Sequence, residues 1–400
     1  LSLVAGLLTG LTVVLVAAGC QTPKDASAGA APASPGSPAS QTSTEVVAGE
    51  LDQVMVIGPT AARNLGYRID WEARDVLPSG RSVRLMQPEG DALFVLDSSN
   101  DLARVRASDG LRIWQTPIGV PVDNVLGINR VQIPSDRVFV TVEGAMFVLD
   151  SSNGAVLNRD RLARVASTGP IEASRFLIYG GRTGEIVWQE FRVGHPWRVN
   201  AVDGSIRHKP VLVSTPAGGD VIAASSAGVV VVMDARTART IWSKPLLAGI
   251  SSRPAAGGGL AFVAGEDQYL WALRLADGIT AWKYFTDAPL TSGPILLGDR
   301  VVQRIPSEGL VAFEAFPMDQ PDGHKVWVNK EVRGEVLGRK GRDLLVWDRS
   351  TKSLSLLDER GVLIQSVALP MVEQLVITGV ENGDLYAAAA DGRIVKLVPQ

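Results

Sequence analysis

The chain has 400 residues, a formal net charge of −3 from 39 basic and 42 acidic residues, 46% hydrophobic content and one cysteine. Well-mixed charge with no basic stripe argues against nucleic acid as a main partner. A single cysteine excludes an internal disulfide framework.

Residues 1 to 19 carry no charge and end in Val16-Ala17-Ala18-Gly19, directly before Cys20. An apolar run closing on small residues before a cysteine has the form of a bacterial lipoprotein signal peptide, with Cys20 as the lipidated thiol. The alternative is a retained membrane-spanning helix, because no Lys or Arg precedes the run and 19 uncharged residues can span a bilayer. Residues 20 to 50 are rich in Ala, Pro, Ser, Gly and Thr and lack aromatics, so they read as a flexible tether that cannot bury a core. A coil of that length spans about 30 Å.

The remainder, 51–400, reads as one domain built from a repeat. In each unit a glycine follows a polar turn residue, and a strand then places Trp four positions on: Gly110 to Trp114, Gly278 to Trp282, Gly323 to Trp327. Ala238 leads in the same way to Trp242. Weaker copies run from Gly154 to Asn158, Gly204 to His208 and Gly361 to Gln365, and Trp71 follows Gly66 with one residue inserted. The slots recur every 34 to 50 residues, 42 on average. A period near 42 built of short period-2 strands predicts a β-propeller. The second and fifth units are the cleanest, with strands at 137–142 and 145–150, and at 260–264 and 269–273. Gly257-Gly258-Gly259 reads as a blade-connecting turn. In the third unit the run Glu185 to Phe191 reads as an inserted hairpin, with a ninth blade as the competing reading.

The last unit stops after Arg393 to Leu397 with no outer strand, while Tyr67 to Ala73 is an outer strand with no inner strands before it. Pairing them removes two exposed sheet edges. The predicted fold is therefore all-β: an eight-bladed propeller of four-stranded antiparallel blades, closed by the N-terminal strand on the C-terminal blade.

Units such as Val229 to Trp242, and Trp271 to Trp282 with Asp277-Gly278, resemble pyrroloquinoline-quinone-type propeller repeats over roughly residues 65–398. Two groups share that form: quinoprotein alcohol dehydrogenases, and BamB-like lipoproteins of the outer-membrane β-barrel assembly machine. The dehydrogenases typically carry adjacent cysteines and an acidic calcium site, and this chain has neither pattern. Resemblance to the BamB-like group implies a non-enzymatic scaffold without cofactor or metal. It would be lipid-anchored at the outer membrane facing the periplasm, and would bind envelope proteins through propeller-face loops as a monomeric ring. The alternative is a propeller that binds or transforms a small molecule or glycan, which would need acids and aromatics converging on the central channel.

Candidate chemistry is sparse. His195, His208 and His324 show no metal-ligand spacing, and there is no Gly-x-Ser-x-Gly elbow. The basic stretch Arg333 to Asp343 reads as the solvated start of the seventh blade. Five of the nine Trp occupy the repeat slot and are expected to pack between blades; of the other four, Trp188 and Trp197 lie in the irregular third unit and are the two that read as free for another role. Arg192, His195, Trp197 and Arg198 combine aromatic and cationic side chains in the irregular third unit and are the predicted partner-binding surface.

Overall fold

The computed structural model describes residues 51–400 except 216, 217 and 319, so the expected signal segment, Cys20 and most of the tether lie outside the described residues. A helical turn at 51–54 and a short helix, α1 (Pro59–Asn64), lead into β1 (Tyr67–Ala73). Thirty-two strands follow the chain in eight antiparallel four-stranded sheets.

Blade one is β2–β5 (Val83–Glu89, Ala92–Asp97, Asp101–Arg106, Arg112–Pro117) and blade two is β6–β9 (Val125–Val131, Arg137–Val142, Ala145–Asp150, Val156–Arg161). Blade three is β10–β13 (Ile171–Ala173, Phe176–Gly180, Glu185–Glu190, His195–Ala201). Blade four is β14–β17 (Val211–Val213, Asp220–Ala224, Val229–Asp234, Thr240–Pro245). Blade five is β18–β21 (Ala255–Gly257, Leu260–Ala264, Tyr269–Arg274, Thr280–Phe285). Blade six is β22–β25 (Ile295–Leu297, Arg300–Ile305, Gly309–Glu314, Lys325–Asn329). Blade seven is β26–β29 (Glu335–Lys340, Asp343–Asp348, Ser353–Leu357, Leu363–Ala368). Blade eight joins β30–β32 (Val372–Ile377, Leu385–Ala389, Ile394–Pro399) to β1.

The first strand of each blade is innermost, and these strands neighbour one another in sequence until β30 meets β2, which closes the ring. The closing strand has the predicted bounds. β1 pairs antiparallel with β32 from Tyr67 opposite Pro399 to Ala73 opposite Ile394. Lys396 bridges the seam, with its ammonium 3.0 Å from Asp70 and 3.3 Å from Asp384, while the Tyr67 hydroxyl donates to the Gly383 carbonyl at 3.1 Å. The segment before β1 also belongs to the core: Val56, Ile57, Ala62 and Leu65 are buried against Trp347, Leu369 and Val372 of blades seven and eight.

Sheet alternation turns each blade's two faces onto its two neighbours, so the core is a series of inter-blade clusters rather than one centre. The repeated Gly and Trp couple adjacent blades. Trp114 of blade one lies on Gly154 of blade two, Trp242 on Gly278, Trp282 on Gly323, Trp327 on Gly361 and Trp71 on Gly110. A Cβ on Gly278 would come within 2.7 Å of the Trp242 ring, and its φ is +72°, so both space and backbone demand glycine there. The indole N–H completes the couple in four of these junctions. It donates to a carbonyl of the next blade: Trp71 to Ala107 (3.0 Å), Trp114 to Ser151 (2.8 Å), Trp242 to Leu275 (2.7 Å) and Trp282 to Ala315 (3.0 Å).

Three expectations are corrected in these blades. Glu185–Glu190 is the third strand of blade three, not an inserted hairpin, and the described residues form eight blades, not nine. The third slot is Arg198, four residues after Gly194, not His208, which lies in the loop before β14. The bulge before each slot residue identifies it: Arg198 opposes Trp188 as Trp242 opposes Val232. With slot 198 the flanking spacings become 40 and 44 residues in place of 50 and 34. Gly257 to Gly259 closes the β18–β19 hairpin inside blade five and does not connect blades.

Candidate functional site: the open junction between blades two and three

Trp188 is not free. It is fully buried, and its indole N–H donates at 2.9 Å to the Ala235 carbonyl, the position in blade four that slot Trp residues address elsewhere. The third strand thus supplies the bond that the fourth strand supplies in other blades. Arg198 fills the slot and donates to the Thr237 carbonyl at 3.1 Å. With no indole lying on it, position 238 tolerates a Cβ, and Ala238 adopts φ +54°.

Among the described residues two other junctions lack a slot Trp: the one between blades seven and eight, at Gln365, is packed by the segment before β1, whereas the one between blades two and three is left open. Its slot residue, Asn158, keeps its side chain within its own strand: the amide donates to Asp160 at 2.7 Å and accepts from the Arg159 N–H at 2.8 Å. A cavity of about 470 Å³ opens beside it. Its walls include Val131, Phe139, Val148, Leu157 and Phe191, and its rim carries Arg137, Asp160 and Arg192. Phe139 and Phe191 pack with ring centroids 5.8 Å apart. Burial pushes the Asp160 carboxyl above its usual range, and the nearby His195 pulls it back. Elsewhere the residue two beyond the slot also donates across the junction: Thr116 to Gly154, Lys244 to Gly278, Asn329 to Gly361. Asp160 holds that position here, and an ionised carboxylate has no proton to give.

The four nominated residues split between two junctions. Arg192 lines the cavity and His195 starts β13 beside Asp160. Trp197 and Arg198 turn toward blade four. Trp197, 42% exposed, stacks on Phe176 with centroids 4.9 Å apart, and Arg175 lies over both rings. His195, Trp197 and Arg198 sit on β13, the outermost strand of blade three, and Arg192 in the hairpin turn before it. Exposed apolar residues occur on most outer strands; what sets this region apart is a largely apolar cavity beside a slot with no indole. Sequence reasoning missed Asn158, Asp160 and Phe139. The usable signal was the polar residue in an otherwise aromatic slot.

Two other concavities are more polar. A cleft of about 420 Å³ between blades six and seven is rimmed by Arg300, Arg339, Arg342 and Arg360 over Trp327 and Leu344, so part of the basic stretch lines a cavity as well as starting β26. A mouth of about 320 Å³ at the inner strands holds Glu89, Arg130 and Glu172. Burial, then Glu89, raises the Glu172 carboxyl; burial lowers Lys209 and Arg253. Arg253 is nonetheless exposed. No innermost strand carries an aromatic residue on which a quinone or sugar would stack. Among the described residues, no group of three His, Cys, Asp or Glu is placed to hold a metal ion.

The sequence model of the family described as outer membrane protein assembly factor BamB matches residues 177–316. No curated protein matches the chain. Among solved structures, the crystal structure of BamB from Moraxella catarrhalis is similar with a TM-score of 0.62 and 20% identity, over 82% of this chain and 97% of that one. A computationally designed protein, Ika8, is similar with a TM-score of 0.62 and 12% identity, over 83% of this chain and 99% of that one. At these identities the likeness is one of fold: a BamB-like propeller of pyrroloquinoline-quinone-type repeats.

Proposed function

We propose that the chain is a membrane-tethered, non-enzymatic scaffold that binds proteins of the bacterial cell envelope, in the setting of outer-membrane protein assembly. The observation that carries this reading is the open cavity between blades two and three, apolar inside and charged at the rim. Such a site suits an apolar anchor from a partner, with polar contacts around it. The BamB description of the matching family model and the fold likeness support the setting. In this reading Cys20 carries the lipid after loss of residues 1–19, residues 20–50 are the tether, and a monomeric ring at 51–400 faces the periplasm from the outer membrane. Arg192, His195, Trp197 and Arg198 flank the contact surface.

The test is cross-linking in native membranes with photoreactive groups at positions 157 and 197, paired with palmitate labelling. A specific envelope protein should be trapped at both positions, and Cys20→Ser should abolish labelling. Equal labelling of wild type and Cys20→Ser overturns the anchor; no protein adduct at either position overturns the scaffold.

A further inference from the structure

We propose that the vacant slot between blades two and three receives a tryptophan side chain presented by an extended segment of a partner protein. The inference deepens the scaffold reading and rests on it. Its basis lies in the ring's other junctions, which show what such a slot is built to hold.

Where a slot indole is seated within the chain, up to three parts are found. The first, at three of the five such junctions, is a turn glycine whose N–H closes on the carbonyl four residues back, whereas Gly323 and Gly361 close differently. The distance is 2.9 Å at Gly110, Gly154 and Gly278, and 2.9 Å again at Gly194. Gly194 also keeps the positive φ, +69° against +74°, +73° and +72° at those three. The second part is the carbonyl just after the third strand, which accepts the indole N–H at Ala107, Ser151, Leu275 and Ala315. In blade three that residue is Phe191, whose carbonyl accepts no hydrogen bond among the described residues. The third part is an apolar wall, here Phe139, Val148 and Leu157. Only the indole is missing.

A further unpaired group lies on the same face. Gln189 is 1% exposed, and neither end of its amide has a partner. It alternates along β12 with Val187 and Phe191, which pack toward blade two. Buried polar groups without partners are rare, and they call for an unmodelled partner or a functional reason. Asp160 lies over Gly194, where an entering ring would rest. It acts as a gate that must turn outward, and an ionised carboxylate gains solvent by doing so. Tryptophan is also among the residues enriched at interface hot spots, which sit in well-packed pockets.

The probes are two fluorescein-labelled peptides, acetyl-Thr-Val-Trp-Val-Thr-amide and its counterpart with Ser for Trp, titrated against the full chain by anisotropy. The Trp peptide should bind at least tenfold more tightly. Asn158→Trp, which fills the slot from within, should weaken it at least tenfold. Asp160→Ser should tighten it several-fold. Should Asn158→Trp fail to fold, Leu157→Glu, at the exposed part of the apolar wall, should show the same tenfold loss. Equal binding of the two peptides, or Trp-peptide binding unchanged by both slot variants, overturns the proposal. Membrane cross-linking separates the two readings. A partner trapped equally by wild type and Asn158→Trp sinks the slot alone, whereas peptide binding without any trapped protein sinks the scaffold alone.

Discussion

Trp282→Ala measures what a filled slot contributes. Trp282 is 1% exposed, lies over Gly323, packs between Phe262 and Phe313 and donates to the Ala315 carbonyl at 3.0 Å. Its truncation leaves an inter-blade cavity and a buried carbonyl without its donor, a loss of about 3–5 kcal/mol. At about 2.1 cal/mol/K per residue, a domain of roughly 350 residues has an unfolding entropy near 0.7 kcal/mol/K, so the melting temperature should fall by about 4–7 °C. Trp188→Ala should cost a similar amount, because Trp188 is fully buried and makes the equivalent bond to Ala235. Trp197→Ala should cost about 1 kcal/mol, since it loses one stacked contact at an exposed edge. Denaturant and thermal melts of the three variants decide. If Trp197→Ala proves as costly as Trp282→Ala, or Trp188→Ala is neutral, the slot has been assigned to the wrong residues.

Gly278→Ala should destabilise by about 1–3 kcal/mol, since its methyl meets the Trp242 ring at a positive φ. Ala238→Gly should instead change stability by less than about 1 kcal/mol, because relief of a left-handed backbone offsets the loss of a buried methyl; denaturant midpoints in the opposite order refute the coupling. The bidentate Arg130 guanidinium, 2.7 and 2.8 Å from Asp136, holds that carboxyl below its usual range. Its stabilising effect is therefore present above the unfolded carboxylate pKa of about 3.9 and is lost as pH falls through the depressed folded value. The stability gap between wild type and Asp136→Asn should thus shrink on acidification, and a gap constant from pH 7 to pH 3 would count against the pair. A truncated chain, 80–400, loses β1 and the packed segment before it and should aggregate or melt at least 10 °C below 51–400; melting within a few degrees would undo the shared-blade closure.

The blade count and the closing strand were legible because each rests on a repeated or alternating pattern. Tyr67–Ala73 has the aromatic and alternating character of an outer strand, and the last unit visibly lacked one. The innermost strands were not legible. Ile171–Ala173, Val211–Val213, Ala255–Gly257 and Ile295–Leu297 have three residues each, too few to show a period of two, and each follows a proline that blurs its start. The packed segment before β1 was missed because a six-residue helix presents less than two turns of periodicity. The third unit misled because its Trp had moved from the fourth strand to the third. The landmark used to find the slot was absent where the slot was changed, and the neighbouring Gly204 offered a false register.

That misreading and the candidate site have one cause. A ring of coupled blades ties two sequence positions in adjacent repeats to each other, so a change at one position alters what the other must be. In blade three the loss of the slot Trp is compensated by Trp188, and the freed turn accepts Ala238. In blade two the slot Trp is lost and nothing replaces it, yet blade three keeps the glycine turn that would receive it, with Gly194 at φ +69°. Without an indole to seat, Gly194 meets only the movable carboxylate of Asp160, and Ala238 shows that the turn can form without glycine. A receiving turn retained opposite a vacated slot, with the acceptor carbonyl unpaired and apolar walls in place, is a local rule broken without internal compensation. Breaks of that kind are where a fold departs from self-consistency for the sake of something outside it.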